Sequence, residues 1–150
     1  MRAINHATTG AIIGLSVIAP IAIPLAFVSH YALDAIPHHD DNTLSHNKFT
    51  ALLLGDLSLC VLLAAIIFFI HPPYWWLAIL CAFIATSPDL MWFRQYWDRR
   101  SGKKSKSIER RSGIVRLHAK VQWFQKPIGL VVEIAWLLIT GLCLYFLLRS

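Results

Sequence analysis

The sequence predicts an all-α integral membrane protein: an N-terminal helical hairpin, re-entrant or kinked, then three transmembrane helices and a basic interfacial helix. Three observations carry this expectation. Of 150 residues, 57% are hydrophobic and 15% are charged, too apolar a balance for a soluble chain of this size. The apolar residues fall in long runs joined by short polar connections, which is how membrane spans are written. The charge is segregated as well, with ten of the fourteen Lys and Arg residues between Asp98 and Lys126. Such a segment beside a span is first a topology signal and only then a patch for anionic lipid or nucleic acid. The length suits a single membrane domain.

Residues 4–36 are the hairpin. Pro20 and Pro24 interrupt the run, leaving either one kinked crossing or two short helices folded back near Ala19. Each folded arm would be about 20–24 Å long, short of the roughly 30 Å hydrocarbon core. Folding back brings His6 level with His30 and Asp34, whereas a single crossing strands it across the bilayer. Gly10 and Gly14, spaced as GxxxG, are expected to let the two arms approach closely. Arg2 and the apolar stretch after it have the outline of a secretory signal. No small-residue cleavage site followed by a polar chain completes it, so the segment is expected to belong to the fold.

Residues 37–48 form a polar connection rich in His and Asp: His38, His39, Asp40, Asp41 and His46. Residues 49–70 are the first full span. His71-Pro72-Pro73 makes a tight turn, and Tyr74-Trp75-Trp76 supplies an interfacial aromatic belt. A second span is expected over 74–97, its apolar part starting at Leu77 and carrying Ser87-Pro88-Asp89. Counting outward from the turn places Asp56 and Asp89 at similar depth. The basic segment, 98–126, is expected on the cytoplasmic side. It includes an amphipathic helix from Ile108 to Phe124, with Ile114, Leu117, Val121 and Phe124 at helical spacing and His118 beside them. The last span, 127–148, holds a single acid, Glu133, for which helix packing is the simpler role.

With the hairpin folded back, thirteen of the fourteen Lys and Arg residues share one side and only Arg149 lies on the other. The positive-inside rule makes the rich side cytoplasmic. Cys60, Cys81 and Cys143 sit in apolar runs without CxxC spacing, and read as small buried hydrophobes.

The chemistry gathers around Ser29 to Asp41, where three histidines and three carboxylates follow directly on an apolar run. His30 and Asp34 are four apart and project from one helix face. Pro37 then stops the helix and places His38, His39 and Asp40 at its mouth. The same face is expected to collect His6, Asp56, Asp89 and His118 as well, so that the whole set of candidates comes from five segments. Imidazole with carboxylate suits zinc, and also manganese or iron, as one ion or two; the lack of thiolates argues against a structural Cys site.

The run His30-xxx-Asp34 with Pro37-His38-His39-Asp40, Gly55-Asp56, Pro88-Asp89, His118 and an N-terminal His6 followed by small residues resembles the YdjM-like family of inner-membrane, predicted metal-dependent hydrolases. The motif style is similar to the helical zinc-dependent phospholipases C. The resemblance implies His6, His30, Asp34, His38, Asp56 and Asp89 as metal ligands. The expected function is a metal-dependent hydrolase of an ester or phosphoester, lipid-like substrates included, at the cytoplasmic face of a bacterial inner membrane. Asp40 or Asp89 would accept the proton from water. The expected partners are membrane lipids and an anionic or lipid-like substrate that Lys103, Lys104 and Arg110 could attract, with no specific nucleic acid. Two alternatives stand beside it: a small cation or proton transporter using Asp56, Asp89 and Glu133, and a non-catalytic membrane scaffold.

Overall fold

The computed structural model describes residues 1–39, 45–90, 113, 120–121 and 128–149. Among them all regular structure is helical: α1 (Ala3–Ser16), α2 (Ala19–Asp34), α3 (His46–Ile70), α4 (Trp75–Thr86) and α5 (Gly129–Leu147). Asp40, Asp41, His118, residues 91–97 of the expected second span and the amphipathic Ile108–Phe124 helix, Gly113 and 120–121 apart, lie outside the described residues.

The N-terminal run folds back. Val17 and Ile18 are both extended, with ψ of 143° and 145°, so the break falls just before the two prolines. Pro20 sits in the first turn of α2, where its missing N–H would have had no partner in any case. Pro24 lies inside the same helix and removes one rung of its ladder. The fold-back sets the His6 ring on the His30 ring, with centroids 4.1 Å apart and planes 26° from parallel.

α1 is the hub, packing on all four other helices and most extensively on α4. Its Gly10 and Gly14 face α4, and this corrects the expectation that they separate the two hairpin arms. A Cβ on Gly10 would overlap the Cys81 carbonyl and lie 2.8 Å from Ala85 Cβ; one on Gly14 would lie 2.6 Å from Ala78 Cα. α4 answers with its own small residues, Ala78, Cys81, Ala82 and Ala85, all buried. Two stripes of small side chains thus bring the backbones into contact, the way helices associate where lipid provides no hydrophobic drive. On its other flank α1 meets α5 through a polar seam. Asn5 Nδ2 donates to the Glu133 carbonyl at 3.2 Å, the Thr8 and Thr140 hydroxyls are 3.0 Å apart, and Trp136 Nε1 donates to Thr9 Oγ1 at 3.0 Å.

α3 and α5 are long and apolar enough to cross a membrane. The burial pattern fits that environment: Asn5, His6, Thr8, His30, Asp34, His38, Glu133 and Thr140 are inside, while large apolar side chains such as Phe69, 82% exposed, point outward. A contiguous apolar exterior of this kind marks a surface made for lipid or a partner.

The expected second span takes another form in its described part. α4 is only 12 residues long and passes into a 3₁₀ turn, Ser87–Leu90. Pro88 is the cause, since it has no N–H for the Ile84 carbonyl. The Ser87 hydroxyl donates to that carbonyl instead, at 2.8 Å. At the other end, His71 closes α3 in the left-handed conformation, φ 56°, with its N–H on the Ile67 carbonyl at 3.0 Å, a usual helix ending.

Candidate metal centre

The centre is assembled by three elements that meet near the first turns of α1. His6 comes from α1, His30 and Asp34 from α2, and Asp89 from the turn after α4. Their side chains converge because α1 and α2 are folded back on each other and α4 is pressed onto both.

His6, His30 and Asp34 are completely buried, and each offers a ligand atom within 4.8 Å of the others. Asp34 is the centre of the group. Its Oδ1 lies 3.2 Å from His6 Nε2 and its Oδ2 lies 3.2 Å from His30 Nε2. The Met1 amino group donates to Oδ1 at 2.6 Å. Asp89, one fifth exposed, approaches from the rim, with a carboxylate oxygen 3.9 Å from Nε2 of each histidine.

The histidines carry the chemical information. His30 Nδ1 lies 2.8 Å from the Ala85 carbonyl. A carbonyl only accepts, so Nδ1 holds the proton, and the neutral ring keeps a lone pair on Nε2. That lone pair faces two carboxylates, and positive charge relieves the repulsion: the Met1 ammonium on Asp34 Oδ1 supplies part of it, and a proton or a metal ion between the groups would supply more. A backbone carbonyl behind a histidine is also the usual way of orienting a metal ligand. His6 points the same way: neither of its nitrogens has a hydrogen-bond partner among the described residues. Its Nε2 is close to Asp34 yet not aligned for a hydrogen bond. A sealed imidazole left in this state is short of a partner, and the three residues could hold a metal ion.

Other residues singled out in the sequence are placed elsewhere. Asp56 does not join the group: its Oδ2 and Oδ1 accept the backbone N–H groups of Ala3 and Ile4, at 2.7 Å and 3.0 Å. It caps α1, whose flanking Arg2 makes no side-chain cap, and puts negative charge at the positive end of the helix. Asp56 thus meets the first residues of α1, whereas Asp89 stands against His6 and His30. His38 is buried, with Nδ1 3.0 Å from the Ile36 carbonyl, and its backbone lies against Gly129, where any side chain would collide. It is not one of the three gathered residues. Glu133 is buried beside Arg2, Nε to Oε2 3.7 Å, which is the packing role expected of it.

Sequence reasoning missed the Ala85 carbonyl, which has no sequence signal because every residue carries one. It also missed Asn5, which did have a signal: a polar side chain just before His6 in an apolar helix. Against family models, curated proteins and solved structures the chain has no match, so the YdjM-like likeness rests on its motifs alone.

Proposed function

We propose that this protein is a membrane-bound hydrolase of an ester or phosphoester, dependent on a divalent metal held by His6, His30 and Asp34, with Asp89 as fourth ligand or general base. The observation that carries the reading is the fully buried His6–His30–Asp34 group, with the His30 tautomer set by Ala85. Zinc suits the mixed imidazole and carboxylate donors best, with manganese or iron as alternatives. A bound divalent ion would lower the pKa of water toward neutrality and polarise the ester.

The chain's own residues supply the rest. Asp34 holds two imidazoles in register, and Ala85 keeps the His30 lone pair turned inward. Asp89 alone of the four is partly open to solvent, which suits it to accept a proton from water and pass it on. Asp40 and His118 are further candidates for base and ligand.

In this reading α3 and α5 cross the inner membrane of a bacterium, α4 continues into a third span, and α1 with α2 forms a re-entrant pair. The centre opens toward the cytoplasm beside the basic segment, within reach of an anionic or lipid-like substrate. A transporter would need free acids along a path, and Asp56 and Glu133 are engaged in holding α1. That favours the hydrolase.

The deciding experiment is metal content by mass spectrometry of detergent-purified protein prepared without chelators. Wild type is expected to carry at least one zinc or manganese per chain, lost in His30→Ala and Asp34→Ala while both stay helical by circular dichroism. A folded, metal-free wild type would refute the metal-dependent reading.

A further inference from the structure

Each carboxylate of the centre is shared between the two histidines, one oxygen to each ring. Asp34 turns Oδ1 to His6 Nε2 and Oδ2 to His30 Nε2, both at 3.2 Å. Asp89 turns Oδ2 to His6 Nε2 and Oδ1 to His30 Nε2, both at 3.9 Å. The four side chains therefore sort into two matching sets, each made of one imidazole nitrogen and two carboxylate oxygens.

The ring geometry bears on whether these sets serve one ion or two. A metal ion is held along the nitrogen lone pair, in the plane of the imidazole and about 2.0–2.1 Å beyond the nitrogen. Two histidines on one ion therefore aim their edges at a common point. The His6 and His30 rings instead lie face over face, with centroids 4.1 Å apart and planes 26° from parallel. Both Nε2 atoms face the same two carboxylates, so their lone pairs run side by side rather than converging. Positions in line with the two nitrogens are separated by roughly the ring spacing, close to the about 3.5–4 Å of two-metal sites. A carboxylate that gives one oxygen to each ion is the bridge such a pair uses. A single ion in the plane of His30 would leave the sealed His6 nitrogens without a partner among the described residues, whereas a second ion supplies one.

We propose that the centre is dinuclear, with one divalent ion on His6 Nε2 and one on His30 Nε2, bridged by Asp34 and Asp89, and that the substrate is a phosphoester whose phosphate group lies across the pair. This rests on the metal-dependent reading and deepens it. Two divalent ions carry twice the charge that two carboxylates neutralise, a surplus that a low-dielectric site magnifies. A phosphate group both offsets that surplus and offers an oxygen to each ion; a neutral carboxylic ester does neither. The Met1 ammonium lies 2.6 Å from Asp34 Oδ1, the oxygen turned to His6. It competes with an ion there, so the His30 position fills first and the His6 position second.

The experiment is a manganese titration of full-length protein in detergent, with bound metal read by mass spectrometry and electron paramagnetic resonance recorded on the same samples. The spectrum of an isolated ion is expected at low occupancy. At saturation, two ions per chain are expected, with the closely spaced hyperfine lines of an exchange-coupled pair. His6→Phe keeps a flat ring against His30 but removes the donor nitrogen, and is expected to hold one uncoupled ion. Inorganic phosphate is expected to alter the coupled spectrum at concentrations about tenfold below those at which acetate does. One ion at saturation, two ions without coupling, or coupling that survives in a folded His6→Phe would overturn the dinuclear centre. Equal responses to phosphate and acetate would overturn the substrate class. A protein that binds no manganese overturns this proposal and the metal-dependent reading together, whereas a single ion removes the pair and leaves that reading standing.

Discussion

Two aspartates in otherwise apolar surroundings do different work, and the difference is local geometry. Asp34 lies between two imidazoles whose nitrogens are each 3.2 Å away, whereas both oxygens of Asp56 accept backbone N–H groups of α1. Removing each should therefore fail differently. Asp56→Ala is expected to lower stability by about 1–2 kcal/mol, the usual cost of losing a cap, with metal per folded chain unchanged. Asp34→Ala is expected to abolish metal binding. Thermal unfolding in detergent and metal analysis on the same preparations check both; metal loss in Asp56→Ala would place that residue in the centre after all. The i, i+4 pairing of His30 with Asp34 was legible in the sequence, because helix periodicity alone puts them on one face. The capping role of Asp56 was not, because a cap donated from another helix leaves no local pattern.

The α1–α4 contact sets the centre, since Ala85 can orient His30 only if α4 stands close. That closeness depends on residues without side chains at the crossing. Gly10→Leu is expected to push the helices apart and cost about 1–3 kcal/mol, as overpacking does, and to weaken metal retention by moving the Ala85 carbonyl away from His30. Gly141→Leu is the control, because a Cβ there meets open space; it is expected to leave melting temperature and metal content unchanged. Equal effects of the two substitutions would mean that close packing of α1 on α4 does not support the site. The GxxxG spacing was visible in the sequence, but not its partner. Glycine marks a place where something approaches, and several helices here offer small residues to approach with.

At the scale of the whole molecule, the inside of the described residues joins small apolar side chains and a few larger ones, such as Ile67 and Leu77, with a set of polar and charged groups, while many large apolar side chains lie outside. If the two helices of spanning length cross a membrane, as proposed, the hydrophobic drive lies between protein and lipid and helix association is left to close packing and hydrogen bonds. In the proposed reading the distribution of Lys and Arg puts the basic segment in the cytoplasm. In cells carrying Cys60→Ser and Cys143→Ser, Arg149→Cys is expected to react with a membrane-impermeant thiol reagent from outside. Lys103→Cys is expected to react only after permeabilisation. The opposite pattern would put the centre on the outer face and remove the case for a cytoplasmic substrate.

The sequence by itself determined that the described segments are helices and that the apolar runs over α3 and α5 are of spanning length. Its apolar runs and prolines dictate helices and their breaks, and the four-residue spacing of His30 and Asp34 dictates a shared face, because these follow from the chain's own periodicity and covalent geometry. Only the tertiary structure decided which faces meet. It turned Gly10 and Gly14 toward α4 rather than α2, gave Asp56 to the end of α1, and set the Ala85 carbonyl behind His30. Those choices depend on the summed packing of four helices around α1, a quantity that no single segment encodes.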